Sequence, residues 1–232
     1  MTELFAQLQR RDRSGEDCVS DNGICPNWIF DNLDRYVDPF WDHVFLTLTS
    51  VAIGFAIAFA LALVAHRRRW LVGPIVQVTG ILYTLPSVAV FFLLLPLTGR
   101  GDTTAIIALV AYSLLILFRN VIAGFDNVPG DARDAGRGMG LTDRQLLWRV
   151  ELPLALPEIM AGLRIAATTT VGLAALAFLA GAGGLGEVLF ADINFRSNVL
   201  VAGGLAVLLA VALDLLILAL QWAITPWLRA AT

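Results

Sequence analysis

The side chains that carry most protein chemistry are scarce in this chain. It has two histidines, His43 and His66, two cysteines, Cys18 and Cys25, and sixteen basic residues, all of them arginine. A P-loop reaches the β- and γ-phosphates of a nucleotide with a lysine, and here no lysine exists to do so. The histidines sit at opposite ends of one apolar run, so there is no H-E-x-x-H metal site, nor is there a G-x-S-x-G turn. Two cysteines without a neighbouring histidine make a poor zinc set. These residues give no catalytic set and no metal-ligand set. The stretch that does carry charge is "DAGRGMGLTDRQLLWRVELP", from Asp134 to Pro153, with three arginines beside its acidic residues. It is too polar for hydrocarbon and too ordered, in its glycines and its Leu-Pro pair, for a passive connection.

The elements that must position this stretch follow from composition. The chain has 232 residues, 58% hydrophobic and 15% charged, with a mean hydropathy of +0.75. A soluble domain is about a quarter charged, so the lipid bilayer is the expected solvent. A net charge of −3 gives no electrostatic case for nucleic acid. A membrane helix needs roughly 20 apolar residues, and five segments qualify: 43–65, 73–97, 103–123, 161–182 and 199–222. The first is expected to act as its own uncleaved insertion signal, because residues 1–25 are polar.

Arginines near span ends set orientation. Arg67, Arg68 and Arg69 follow the first span, and Arg133, Arg137, Arg144 and Arg149 fall between the third and fourth, with Arg229 at the C-terminus. These predict N-terminus outside and C-terminus inside; Arg10, Arg11 and Arg13 lie too far from a span to weigh against it. Residues 1–42 then form an extracytoplasmic tail, and 43–232 a transmembrane domain with a cytoplasmic loop at 124–160. In an oxidising compartment Cys18 and Cys25 are candidates for a disulfide, the alternative being two free thiols. Trp28, Phe30, Tyr36, Phe40 and Trp41 suggest an amphipathic helix at the outer interface.

Within the loop, Pro129 and Asp131 predict the opening of a short helix, with Gly138 or Gly140 closing it. Thr142 and Gln145 have capping-box spacing for a second helix. That helix puts Leu146, Leu147 and Val150 on one side, with Pro153 limiting its extent. Ala135 and Gly136 keep one face of the first helix small, so that a groove on another protein could approach its backbone. The plainer alternative is a solvated loop with chance capping signals.

At these residues the chain resembles the permease subunits of bacterial ABC importers. Their loop carries E-A-A, three residues, Gly, nine residues, then I-x-L-P. Asp134-Ala135-Gly136, Gly140 and Val150-Glu151-Leu152-Pro153 stand at that spacing, with Asp for Glu, Gly for the second Ala and Val for Ile. The stretches "TLPSVAVFFLLLPLTGRG" (84–101), "GMGLTDRQLLWRVELPLALPEIMAGLRIA" (138–166) and "GAGGLGEVLF" (181–190) resemble the osmoprotectant branch. The resemblance implies an all-α integral membrane protein of the type I importer kind, with about five membrane helices. It implies that Asp134, Ala135, Gly136, Gly140, Val150, Leu152 and Pro153 couple the chain to an ATPase. It further implies a second permease chain, two ATPase subunits and an extracytoplasmic binding protein, in a bacterial cytoplasmic membrane. ATP and Mg would be used by the ATPase, with no cofactor on this chain. The expected cargo is glycine betaine, choline, carnitine or proline betaine. Alternatives are another small solute such as an amino acid, or an ion-coupled secondary transporter.

Ionisable residues inside spans are costly and default to functional hypotheses. Asp214 lies deepest, with Arg119 and Arg164 as possible partners; it either forms a structural ion pair or faces the pathway. Leu85-Pro86-Ser87 predicts a kink within the second span, which either is geometric or lines a gate together with Tyr83. Gly172, Gly181, Gly183, Gly184 and Gly186 thin the outer half of the fourth span, for packing first and for lining a path second, and "GAGGLGE" either continues the helix or forms a loop. His66 is expected to face lipid headgroups, and His43 to cap the outer interface.

Overall fold

The computed structural model describes residues 16–229, which leaves Arg10, Arg11 and Arg13 outside the described residues. Among these the secondary structure is entirely helical. The main elements are α1 (Glu16–Ser20), α2 (Pro26–Asp31), α3 (Val37–Arg67), α4 (Val72–Thr84), α5 (Ser87–Thr98) and α6 (Asp102–Asp126). After them come α7 (Gly130–Gly138), α8 (Asp143–Leu146), a π-turn (Leu147–Glu151), α9 (Leu152–Ala174), α10 (Leu185–Ala191), α11 (Arg196–Ile224) and α12 (Pro226–Arg229).

The bundle is organised by small residues rather than by polar sorting, since lipid gives no hydrophobic drive between helices. On α3 the buried positions Leu46, Ser50, Gly54, Ala58 and Ala62 recur every fourth residue and so share one face. That face lies along α6, where Gly54 meets Ser113 and Leu117. α9 packs on α6 as well, and α11 packs on α9. In the most apolar stretch of α6, 56% of residues are buried, against 17% in α11, so α6 is the axis of the bundle and α11 its rim.

Among the described residues three helices are long and apolar enough to cross a membrane: Leu33–Arg67, Asp102–Asp126 and Arg196–Ile224. The expected second span is instead a broken one, with α4 and α5 meeting at 98°. Pro86 has no N–H to give, and the residue before a proline avoids helical geometry; Leu85 is accordingly extended, at ψ 137°. The expected fourth span is shifted. Its helix starts at Leu152 and ends at Ala174, and it falls short of the apolar criterion for a span. Because α9 sits against α6, α11 and α3, protein rather than lipid surrounds much of it, and Glu158 and Arg164 are tolerated there.

The outer end also departs from expectation. Among the described residues no long interfacial helix precedes the first span: α2 has six residues, a 3-10 turn covers Leu33–Tyr36, and α3 runs unbroken across positions 42 and 43. Cys18 and Cys25 are bonded to each other. The loop they close is fastened to the start of α11 by Cys25 N–H donating to Ser197 Oγ (2.7 Å) and Ser197 Oγ–H to the Gly23 carbonyl (3.0 Å). Tyr36 Oη–H donates to Asn198 Oδ1 at 2.8 Å, and Trp28 meets Phe195 edge-on. His43 does not cap an interface: it is fully buried, with Nε2 3.0 Å from the Val171 carbonyl on α9.

Candidate functional site

The polar loop folds into a helical hairpin at one end of the bundle. α7 spans Gly130–Gly138 behind Pro129, and its chain reverses at Gly140, whose φ of +80° suits a residue without Cβ. The capping box is formed: Gln145 N–H donates to Thr142 Oγ1 (3.4 Å), and Thr142 N–H donates to Gln145 Oε1 (2.9 Å). Pro153, however, does not limit the second helix. A π-turn over Leu147–Glu151 leads directly into α9, with Pro153 in its first turn, where an absent N–H costs nothing. The hairpin is therefore a rigid extension of a bundle helix rather than two short helices on a hinge.

The motif residues divide between two faces. Asp134, Ala135 and Gly140 are exposed, and Met139 beside them is 72% exposed. Gly136 faces inward instead, where an added Cβ would stand 2.5 Å from Leu146 Cδ1. Its small size lets α7 lie on α8, and so it does not serve the outward approach expected of it. Leu146 and Leu147, expected on one side with Val150, are buried, while Val150, Leu152 and Pro153 are half-buried along the same seam.

Beneath the hairpin lies a charge cluster whose members the sequence reading did not connect. Glu151, the variable position before Leu-Pro, is buried; it accepts from Arg133 Nε at 2.7 Å and stands 2.9 Å from His66 Nε2. Arg133 also donates to the carbonyls of Phe125 (2.6 Å) and Val128 (3.1 Å), near the end of α6, whose last carbonyls have no helical partner. The His66 ring lies against Phe125, with centroids 4.6 Å apart. His66 is thus not a headgroup residue: its side chain is 13% exposed and joins the end of α3 to the hairpin. Burial pushes the Glu151 carboxyl up, but the hydrogen bonds from Arg133 and His66 and their charges outweigh it, leaving its pKa below the usual carboxylate range. One carboxylate therefore ties together the ends of α3 and α6 and the start of α9. The only hint in the sequence is that an acidic residue occupies a position otherwise flanked by apolar ones.

The remaining site residues separate into two places. Tyr83, Leu85, Pro86 and Ser87 gather at the α4–α5 break, where Tyr83 is 40% and Leu85 37% exposed. Tyr112 Oη–H donates to the Leu85 carbonyl, a group the break leaves outside any helix. Asp214 is not with them. It is gripped two-fold by Arg164, from Nε and from Nη2, both at 2.7 Å, while Arg119 is exposed and apart. Each partner of the pair is 31% exposed. Such fork-to-carboxylate geometry is a structural clasp between α9 and α11. Asp214→Asn is expected to lower the yield of monodisperse protein, and the double change Arg164→Gln with Asp214→Asn to recover both yield and uptake. Size-exclusion profiles and solute uptake check this; a double variant that assembles but does not transport would place the pair in the pathway. The glycines of 181–186 serve packing: Gly183 abuts the Asp42 carboxylate and Gly184 the His43 ring.

A helical membrane bundle with a broken second span and a capped, rigidly tethered hairpin at one end is the architecture of an importer permease. The chain belongs to the family described as binding-protein-dependent transport system inner membrane component, which matches residues 50–229. It is 37% identical over 207 residues to the osmoprotectant import permease protein OsmW of Salmonella typhimurium, covering 86% of this chain and 96% of that one. It is 35% identical to the carnitine transport permease protein OpuCB of Listeria monocytogenes, covering 80% of this chain and 86% of that one. Among solved structures it resembles an inward-facing form of the MetNI methionine ABC transporter, with TM-score 0.67 and 25% identity over 84% of this chain and 95% of that one. An amino acid ABC transporter shares the fold, with TM-score 0.69 and 16% identity over 83% of this chain and 95% of that one.

Proposed function

We propose that this chain is one of two permease subunits, identical or paralogous, in an ATP-driven importer of small compatible solutes. The observation that carries the reading is the hairpin: an exposed ridge of Asp134, Ala135, Met139 and Gly140, backed by a buried ion cluster that reaches two bundle helices. An exposed loop serving no partner has no need of such internal fastening. In this reading an ATPase receives α7 in a cleft, and closure of the ATPase pair moves α7 as a lever. Two ATPase subunits sit under the two permeases and use ATP and Mg, since this chain has no lysine with which to hold a nucleotide. A binding protein delivers solute at the opposite face. The arginines at the hairpin end support a cytoplasmic hairpin, with the N-terminus outside and the C-terminus inside.

The cargo class proposed is a quaternary amine or zwitterion such as glycine betaine, choline, carnitine or proline betaine. It is favoured over an amino acid because the relatives named for osmoprotectants are more similar to this chain than the structures named for amino acids. An ion-coupled carrier would need a disposable membrane carboxylate, and Asp214 is spent on Arg164. The break at Tyr83, Leu85, Pro86 and Ser87 is the proposed lining of the path, because irregular backbone is tolerated in a membrane only where it is buried in protein or borders a cavity.

Co-purified with its neighbouring ATPase and binding protein and reconstituted in vesicles, the chain is expected to accumulate labelled glycine betaine or choline only with internal ATP. Absence of uptake of any such solute, with uptake of another, would reassign the cargo. Gly140 supplies the test of the lever. Nothing lies within 4 Å of the Cβ it lacks, so a substitution there acts through backbone strain or through a partner rather than an internal clash. Gly140→Leu is expected to retain ATP hydrolysis while losing most uptake. Gly140→Asn, a residue that tolerates left-handed backbone, should restore much of it. Normal uptake by the leucine variant would count against the lever.

A further inference from the structure

The end of α3 carries two adjoining concavities that share Arg67 and Leu147. The first, of about 410 Å³, is walled by Leu63, Val64, Leu147 and Trp148 and ends at Arg67 and Arg68. The second, of about 840 Å³, is polar and takes in Arg67, Arg137 and Arg144. An apolar channel thus opens directly onto a cationic one.

The charge balance is positive. Among the described residues, Arg67, Arg68 and Arg144 make no ion pair. Arg137 reaches Asp134 only at 3.8 Å, with both side chains mostly exposed. Of the carboxylates on the second cavity, Glu151 is committed to Arg133 and His66, which leaves Asp143 as the one opposing charge. Two neighbouring guanidinium groups offer paired N–H donors to a phosphate, which they match better than they match water. Trp148, 48% exposed in the wall of the first concavity, is a ring with one apolar and one polar edge, the kind that settles at headgroup depth. Free phosphate would need only the cationic half, and an acidic protein surface would leave the apolar half unfilled.

We propose that this groove binds an anionic phospholipid, with its phosphate on Arg67 and Arg68 and one acyl chain along Leu63, Val64 and Trp148. The headgroup points towards Arg144 and Arg137, so the lipid bridges the first span and the hairpin. The proposal rests on the reading that places this end at the cytoplasmic membrane surface, but it needs neither the solute nor the ATPase. The bilayer's charge would then act on the position of the hairpin through one molecule, which makes the permease responsive to lipid composition.

Native mass spectrometry of the full chain with defined lipids tests it without transport. Phosphatidylglycerol is expected to be retained over phosphatidylcholine, and Arg67→Gln with Arg68→Gln to weaken that preference roughly thirtyfold, as two surface charges would. Arg67→Lys with Arg68→Lys keeps the charge and should keep most of the preference, separating a lost site from a lost fold. Trp148→Ala should weaken both lipids alike. Equal retention of the two lipids by the parent chain, or an unchanged preference in the glutamine variant, overturns the proposal. Displacement of the lipid by millimolar inorganic phosphate, together with indifference to Trp148→Ala, would make it a free-anion site instead. Loss of ATPase association with lipid binding intact would assign the arginines to the partner and also overturn it.

Discussion

Glu151→Gln is expected to disable the permease while sparing its insertion. The amide offers one acceptor oxygen where the carboxylate offers two, so either Arg133 or His66 loses its acceptor, or the His66 ring turns to the tautomer that leaves a buried Nδ1–H without a partner. Breaking one member of a buried ion cluster costs about 3 kcal/mol or more. The Glu151 side chain is 9% exposed, so solvent does little to soften the loss. Two consequences follow at once. The carbonyls of Phe125 and Val128 lose their well-oriented donor, and the end of α3 is released from the hairpin. In vesicles the variant should hydrolyse ATP with little dependence on solute and transport at a small fraction of the parent rate, with a lower melting temperature. Equal melting temperature and uptake would show that the cluster holds nothing.

The same carboxylate gives the variant a pH signature. Because its folded pKa lies below the usual carboxylate range, its stabilisation is complete above the unfolded value and is lost as pH falls through the lowered folded one. The parent and Glu151→Gln should therefore differ fully in thermal stability near neutrality and converge in acid, below the ordinary glutamate range. A gap that persists undiminished well below that range would mean that the ionised carboxylate is not what holds the junction.

Gly186→Ala is expected to be among the most damaging single-methyl additions in the chain. Its Cβ would land on the carbonyl of Ala175, at the end of α9, and a backbone group cannot swing aside as a side-chain tip can. Overpacking of this kind costs about 1–3 kcal/mol when side chains yield, and more where the obstacle is main chain. The expected result is loss of most folded protein in detergent extracts, and Gly186→Val should leave none. Gly204→Ala, where nothing lies within 4 Å, is the matched control and should extract normally. Comparable yields from the two alanine variants would remove the claim that the start of α10 seats on the backbone that follows α9 through this glycine.

The contrast between these two positions shows how far the residues can be read without coordinates. Gly186 stands in a glycine run that announces close packing or loop, but which glycine meets backbone and which meets nothing depends on how the start of α10 meets the chain after α9. Gly136 makes the point more sharply. A small residue at an exposed-looking place in a polar loop reads as an outward approach surface, yet it faces Leu146. Helix periodicity names the residues that share a face, but not what that face meets.

Local physics was legible from the sequence alone. The capping box at Thr142, a glycine turn at Gly138 or Gly140, a bend at Leu85-Pro86 and the first, third and fifth spans all depend on neighbours within a few residues. The loop motif was legible too, because its spacing is itself a local property and carries the family resemblance. Only the tertiary structure decided that Pro86 breaks a span through 98° where a kink was expected, because the Tyr112 hydroxyl that donates to the freed Leu85 carbonyl comes from α6. It also decided that Asp214 belongs to Arg164 and not to Arg119, and that His66 belongs to Glu151, 85 residues away in the chain. Ion pairs and buried donors are settled by which helices touch. In a membrane bundle, where nearly every residue is apolar, hydropathy does little to rank one helix pairing over another.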